Sequence, residues 1–467
     1  MEPEPEPEVE PETEPWRSNP CPFNWVERSY FCLIEKEEGA LELDDEDLDK
    51  SLYMCTSEME KDYCSYNVRA IKLSRLFSSE INQLDEVAYE FGQHLPIFAG
   101  CGVFGSEIIF AGGSRVREYG SLERDCSKDL YAFDTDNRYH SPEAKKPKTD
   151  VDHVKNPKPF KKMAASFRQG KHRPLLVELG GKLYSLSGKP IYEPAPTNPA
   201  FEVFDAVEGT WSPLAEPPFL VLGDPDFKFA HFSYIVTGTK IFVSNKEVLD
   251  PTPRKSFEKP FDCYVFCFDV AHPHKGWRKI SNFFQIKVKG FLDSLLDETP
   301  VVHTWSPLIS MTSTPFHGRA LALDLDLHNG DDLKLVFTYS FGKPTEIQVH
   351  VMSYSEERML YINSFELTQL PPECNEPTEY NFVYLGGQKV SLVLSRFGQN
   401  RNMDEDQYSE YEYGIQKMSL VVIPFTFTYY LDWTLHVNFK VLSTRILEYY
   451  TKENSSEHPE VVGCYVL

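Results

Sequence analysis

The sequence predicts an all-β fold: a β-propeller of about six blades, each a four-stranded antiparallel sheet, closed by N- and C-terminal strands. Three observations predict it. Pairs of apolar runs joined by a glycine-containing turn recur from about residue 95 to about residue 435. A later run in several copies ends in an aromatic residue followed by Asp, with a Trp a short way beyond. Aromatics make up 14% of the chain and prolines number 34, a balance that favours strands and turns over long helices. A length of 467 residues is compatible with one large all-β unit. Two stacked β-sandwiches are the alternative architecture.

Residues 1–20 form an acidic Glu/Pro arm, and residues 21–467 are expected to form a single propeller domain. Repelling glutamates and helix-forbidding prolines predict that the arm is extended and disordered. The stretch RSYFCLIEK (28–36) reads as a strand, and ELDDEDLDK (42–50) as an acidic loop. YNVRAIKLS (66–74) alternates apolar and polar residues, as a half-buried strand does.

Five copies of the repeat follow. The first is SEIIFAGGS (106–114) with KDLYAFDTD (128–136). The second is RPLLVELGGKLYSLSGK (173–189) with AFEVFDAVEGTW (200–211). The third is FSYIVTGTKIFVSNK (232–246) with DCYVFCFDVAHPHKGW (262–277). The fourth, 318–343 with 346–359, keeps little of the pattern; the fifth is 381–398 with 417–433. Turns such as ELGGK and VTGTK need residues that tolerate positive φ. Strands packed on both faces read as unbroken apolar runs. The Asp after the aromatic can accept hydrogen bonds from the backbone two residues on. A ring needs closure, and LHVNFKVLSTRIL (435–447) and VVGCYVL (461–467) are the candidates to complete the blade begun by 28–74.

This pattern resembles the kelch repeat, whose signature is a strand, paired glycines, then a separated aromatic and a Trp. The matching residues are Gly112, Gly113, Tyr131 and Asp134 in one copy, and Tyr184, Gly188, Phe204, Asp205 and Trp211 in the next. The third copy contributes Phe268, Asp269 and Trp277 without a glycine pair. The overall cast is similar to the divergent kelch-type propellers of plants. The first copy lacks its Trp. Equivalent Asp residues lie roughly 65–70 positions apart, against about 50 for kelch, which implies inserted loops.

The formal net charge of −24 argues against nucleic acid and anionic membrane surfaces as partners. The N-terminus carries no secretory signal pattern and no run is long and apolar enough for a membrane span, so a cytoplasmic or nuclear location is expected. The sequon at Asn454 is read as chance. Ten cysteines without a CxxC pair read as reduced thiols, Cys263 and Cys267 sharing one strand face.

No catalytic residue, metal ligand or cofactor is expected. His272 and His274 flank a proline in AHPHKGW and read as a solvated turn rather than a metal pair. The acidic run 324–332 fails the EF-hand order and reads as a strand with an Asn-Gly hairpin turn. The Gly-Lys pairs in LGGKLY, LSGKPI and SFGKPT lack the rest of a phosphate loop. Two charged loops stand out: the basic 144–163 and the acidic 400–414. The basic one reads as a solvated insertion, with nuclear import or docking of an acidic partner as its functional readings.

The resemblance implies a non-catalytic, monomeric interaction module that presents propeller loops to a protein partner whose binding residues the sequence does not identify. The alternative is an enzyme with a central-channel active site on a galactose-oxidase-like propeller. Convergent His, Tyr or carboxylates in the channel would favour the enzyme.

Overall fold

The computed structural model describes residues 29–36, 41, 43–60, 63–78, 83–114, 126–136, 159–188, 199–218, 233–244, 265–280, 319–326, 332–340, 346–355, 357–366, 379–397, 417–431, 434–450 and 460–467. The arm 1–20, the basic residues 144–158, the acidic loop 400–414 and Cys263 lie outside the described residues.

A lone first strand, β1 (Ser29–Lys36), precedes the ring. The first blade holds β2 (Ser51–Glu60), β3 (Tyr63–Lys72) and β4 (Asp85–Gly92), and takes its inner strand from the chain's end, β26 (Glu460–Val466). The second is β5 (Gly100–Phe104), β6 (Glu107–Ala111), β7 (Leu130–Asp134) and β8 (Lys161–Lys162). The third is β9 (Leu175–Leu179), β10 (Lys182–Leu186), β11 (Phe201–Asp205) and β12 (Thr210–Pro213). The fourth is β13 (Ser233–Thr237), β14 (Lys240–Ser244), β15 (Val265–Asp269) and β16 (Trp277–Ile280). The fifth is β17 (Leu321–Asp324), β18 (Leu333–Ser340), β19 (Glu346–Ser353) and β20 (Arg358–Glu366). The sixth is β21 (Glu379–Gly386), β22 (Lys389–Phe397), β23 (Lys417–Leu431) and, paired with the first part of β23, β25 (Arg445–Tyr450).

These are six antiparallel blades in a ring, a β-propeller. The first strand of each blade from the second to the sixth, together with β26, forms the inner circle around the axis. Closure is by β26, which runs antiparallel to β2 from Leu52↔Val466 to Ser57↔Glu460.

The sixth blade differs from what the sequence led us to expect. Strand β23 is 15 residues long and has two outer partners in tandem. Lys417–Val422 pairs with β25, and Phe425–Leu431 pairs with β24 (Thr434–Val441). Pro424 falls between the two ladders, where no outer strand asks for the N–H it lacks. The expected placement of 28–36 and 435–447 in the first blade is therefore corrected. Strand β1 runs parallel to β24, Ser29↔Thr434 through Lys36↔Val441. Strand β2 already has β26 and β3 on its two sides, while β24 offers an open edge.

Six apolar clusters of described residues fill the six gaps between blades. Neighbouring residues of one strand face opposite gaps, because side chains alternate across a sheet. Met54 packs toward the sixth blade, and Tyr53 and Cys55 toward the second. Leu183 faces the second blade and Tyr184 the fourth. This double burial explains the unbroken apolar runs in the sequence.

The aromatic-Asp pairs have a geometric basis. Asp134, Asp205 and Asp269 each end the third strand of their blade, and each accepts the backbone N–H two residues on at 2.9, 2.9 and 3.1 Å. The aromatic before Asp is the cross-strand partner of the Trp: Phe204↔Trp211 and Phe268↔Trp277. Ring centroids lie 5.4 and 5.3 Å apart. Trp211 sits in the gap to the second blade, and Trp277 packs on Phe201 of the third at 5.2 Å. In the first copy, Phe160 takes the place of the missing Trp, against Phe133 at 6.1 Å and Phe110 at 5.4 Å.

His350, in the middle of β19, is fully buried beside Thr338, with Oγ1 and Nε2 3.2 Å apart. Burial pushes its pKa down to about 3, against about 6.5 in an unfolded chain. Between these values the unfolded chain holds the extra proton. The stability that goes with neutral His350 is fully present above pH 6.5 and is lost as pH falls toward 3. The loss approaches about 1.4 kcal/mol per pH unit, or about 2 kcal/mol at pH 5. Urea unfolding at pH 7.5 and pH 5.0 should show this drop in the parent protein, and His350→Gln should lack it. An equal drop in the variant would assign the acid sensitivity elsewhere.

Candidate functional site

The repeat-signature residues lie at turns and blade gaps. Gly112 and Gly113 end β6 with φ of 68° and 92°, and a Cβ on them would meet the carbonyl oxygens of Lys171 and Ile97 at 2.5 and 2.4 Å. Gly113 donates its N–H to the Lys171 carbonyl, and Gly188 donates to the His172 carbonyl. Tyr131 donates its hydroxyl to the His94 carbonyl at 3.4 Å, and Tyr184 is buried beside Phe201. His272 and His274 sit on an exposed single-turn segment, where His272 Nδ1 lies 2.9 Å from the Asp269 carboxylate. Cys267 is buried as a free thiol, and burial pushes its pKa up to about 12.

The glycines converge on a three-residue linker, Lys171–His172–Arg173, between the second and third blades. Lys171 is fully buried and ion-pairs with the equally buried Glu202 at 2.8 Å. Its ammonium also donates to the Pro199 and Ala200 carbonyls. Burial pulls this ammonium below the usual lysine range against the pull of Glu202. His172 Nδ1 meets the Ser114 hydroxyl at 2.9 Å. Arg173 donates its N–H to the Phe98 carbonyl and lays its guanidinium 4.4 Å from the Phe98 ring. It also pairs with Glu460 at 3.2 Å, across the second blade. Phe98 and Arg173 hold φ of 56° and 41°, strained values for residues with a Cβ.

Arg173 and Glu460 mark one mouth of the central channel, at the starting ends of the inner strands. Near the inner circle of strands, residues of four blades come close to one another. Tyr234 lies on β13, Cys101 on β5, and Cys464 and Tyr465 on β26. Arg319 stands two residues before β17 and bridges in parallel to Tyr234. The guanidinium of Arg319 lies 5.4 Å from the centre of the Tyr465 ring. Arg319 and Tyr234 are partly exposed, and Tyr465 is buried in the cluster between the first and second blades. Burial raises the phenols of Tyr234 and Tyr465, and it pushes the Cys464 thiol up to about 12. Among the described residues no carboxylate lies within ion-pair distance of Arg319.

The group consists of one guanidinium, two phenols and neighbouring thiols. Other buried carboxylates form ion pairs within or between blades. Glu58 pairs with Arg69 at 3.5 Å, and Glu357 pairs with Lys240 at 2.8 Å and Arg278 at 2.5 Å across the gap between the fourth and fifth blades.

Sequence reasoning did not find Lys171, Arg173, Arg319, Tyr234 or Tyr465. Each lies in a strand or connector whose local pattern is ordinary, and only the ring brings the channel residues together.

Residues 153–283 match a family described as a protein of unknown function, DUF1668. No curated protein matches the chain. Among solved structures, the chain is similar to YjhT, at 11% identity over 86% of this chain and 99% of that one, with a TM-score of 0.39. It is also similar to the N-terminal domain of Nup159, at 10% identity over 89% and 85% of the two chains, with a TM-score of 0.27. A polysaccharide lyase, the PL25 ulvan lyase, is similar at 9% identity over 83% and 82%, with a TM-score of 0.31. The propeller rests on its own strand pairing, not on these likenesses.

Proposed function

We propose that this protein is a non-catalytic interaction module, a propeller of kelch type that presents its inter-blade loops to a protein partner in the cytoplasm or nucleus. The observation that carries the reading is the repeat geometry, which sets similar side-chain-anchored turns on successive blades of the ring. The side-chain-anchored turns after Asp134, Asp205 and Asp269, and the Phe–Trp pairs behind them, support the kelch relationship. The described cysteines Cys55, Cys64, Cys101, Cys126, Cys267 and Cys464 are free thiols, as suits a reducing compartment.

The basic loop is the partner-facing feature this reading singles out. Lysines at 145, 146, 148, 155 and 158 concentrate positive charge in a chain of net charge −24. Such a patch speeds association with an acidic partner and weakens with salt over about 8–10 Å of screening. Deleting residues 144–158 should leave the fold intact by circular dichroism and change partner recovery or nuclear access. If partners, localisation and stability all match the parent, the loop is only a solvated insertion.

The convergence of Tyr234, Tyr465, Cys101 and Cys464 favours one second reading, an enzyme with a central-channel active site. Elemental analysis of protein purified without chelator separates the two. One tightly held copper or zinc per chain would overturn the interaction-module reading.

A further inference from the structure

We propose that the cleft between the fifth and sixth blades, at the end where their inner strands finish, is a binding site for one neutral sugar ring. The rings of Tyr384 and Tyr429 take its C–H face, and Gln388 and Asp324 take its hydroxyls. This goes beyond the loop-presenting role and uses no residue of the two charged loops.

The cleft exists because β23 overruns its blade. The ladder to β22 ends at Lys389↔Thr426, so Phe427 to Leu431 project past the β21–β22 turn, with β24 as their partner. Side chains alternate across the strand, which sets Phe427, Tyr429 and Leu431 on the face toward the fifth blade. Phe427 and Tyr429, the end of β17 (Ala322, Leu323 and Asp324), and Tyr384, Gly387 and Gln388 of the sixth blade line a cavity of about 250 Å³. It opens to solvent: Tyr384 is 44% exposed, and Asp324, Gly387 and Gln388 are exposed. Sites for drug-sized ligands run to roughly 300–1,000 Å³, so this one suits a single ring.

The walls are held in place before any ligand arrives. The Tyr429 hydroxyl accepts the Asp326 N–H at 2.8 Å, and the Tyr384 hydroxyl donates to the Gly387 carbonyl at 3.0 Å. The Phe427 N–H donates to the Gln388 carbonyl at 2.9 Å and ties the overhang to the turn. Lys389, next to that turn, donates to the Asp44 carboxylate at 2.6 Å. Rings fixed in advance lose little freedom on binding.

Charge selects the ligand. Asp324 is the charged residue of the lining, and it is ion-paired with Lys334. An anion would find that cation already taken, and a cation would find the carboxylate already neutralised. What remains is aromatic surface beside groups that make neutral hydrogen bonds. Lys334 takes one carboxylate oxygen of Asp324, and the other is left to accept. The Gln388 amide both donates and accepts, and it has no partner among the described residues. A pyranose matches this wall, with C–H bonds on one face and hydroxyls that donate and accept around its edge.

The test uses the full chain at pH 7.5, titrated under saturation-transfer NMR with the methyl glycosides of glucose, galactose, mannose and N-acetylglucosamine. Glucuronate and choline are the anionic and cationic counterparts. At least one glycoside should bind saturably, with the strongest transfer on its ring C–H protons, and both counterparts should bind more weakly. Tyr384→Ala should weaken that glycoside at least about fivefold while melting close to the parent, and Tyr384→Phe, which keeps the ring, should retain it. Gln388→Ala should also cost about fivefold, the worth of a hydrogen bond. The matching trisaccharide separates two sources of the same chemistry: tighter binding assigns a glycan chain, equal binding a free sugar. Deleting residues 144–158 should leave glycoside affinity unchanged, which separates this site from the loop surface. Absence of binding by all four glycosides overturns the proposal. So does choline or glucuronate binding as tightly as the glycosides, or full affinity in Tyr384→Ala. Should Tyr384→Ala not fold, the parent titrations and Gln388→Ala decide.

Discussion

Deletion of residues 460–467 is expected to abolish the monomeric folded state. Strand β26 is the inner strand of the first blade, the one that joins the two ends of the ring. Ser51 and Leu467 exchange both backbone hydrogen bonds at its far end. Its side chains fill two gaps at once. Val461 and Cys464 pack toward the sixth blade, and Tyr465 toward the second. Burying such side chains contributes about 1.5–3 kcal/mol each for the larger ones, and each ladder hydrogen bond about 1 kcal/mol. Together they rival the whole stability of an ordinary domain, about 5–15 kcal/mol. The truncated chain also leaves β2 with an open edge beside the channel, a template for pairing with another chain. Insoluble or high-mass protein by size-exclusion chromatography is the expected result. A soluble monomer with the parent's circular dichroism and melt would refute closure by this strand. Deletion from residue 435 would be less informative, because β24 and β25 belong to the sixth blade.

What was legible in the sequence was local. The hairpin VTGTK between β13 and β14, and ELGGK between β9 and β10, declare themselves by turn residues and flanking apolar runs. Asp205 and Asp269 declare the end of their strands because the turn is made by the Asp side chain itself. Strand β26 was recognised as a closing strand because a ring leaves few other places for it. The assignment of β1 to the same blade failed because strand pairing is decided by which edge is open. That depends on β24, some four hundred residues away. The missing Trp of the first copy was likewise a matter of distance. Phe160 fills its place from the far side of the basic insertion. Lys171 carries no signal in its local sequence, yet it is a buried half of an ion pair, since Glu202 is set opposite it by the next blade. Residues 101, 234, 319, 464 and 465 share no spacing at all. Their meeting is a property of the ring.

The packing of Trp211 carries the other large expected effect. Trp211 is 5% exposed and touches both Phe204, its cross-strand partner, and Phe167 at 4.7 Å. Its cluster joins Ile109 and Leu130 of the second blade to Leu183 of the third. Replacement by Ala removes the wedge between two blades and leaves a cavity that rigid sheets cannot collapse into. The expected cost is about 3–5 kcal/mol. Trp211→Phe should cost much less. It keeps most of the ring contacts and removes a buried indole N–H that has no hydrogen-bond partner among the described residues. Trp277 provides the contrast. It is half-buried, and its Nε1–H donates to the Ala215 carbonyl at 3.1 Å. Trp277→Ala should therefore destabilise less than Trp211→Ala, although both occupy the same position in the repeat. Chemical denaturation of the four proteins tests the order. Equal midpoints for the parent and Trp211→Ala would mean that this Trp does not hold the second and third blades together.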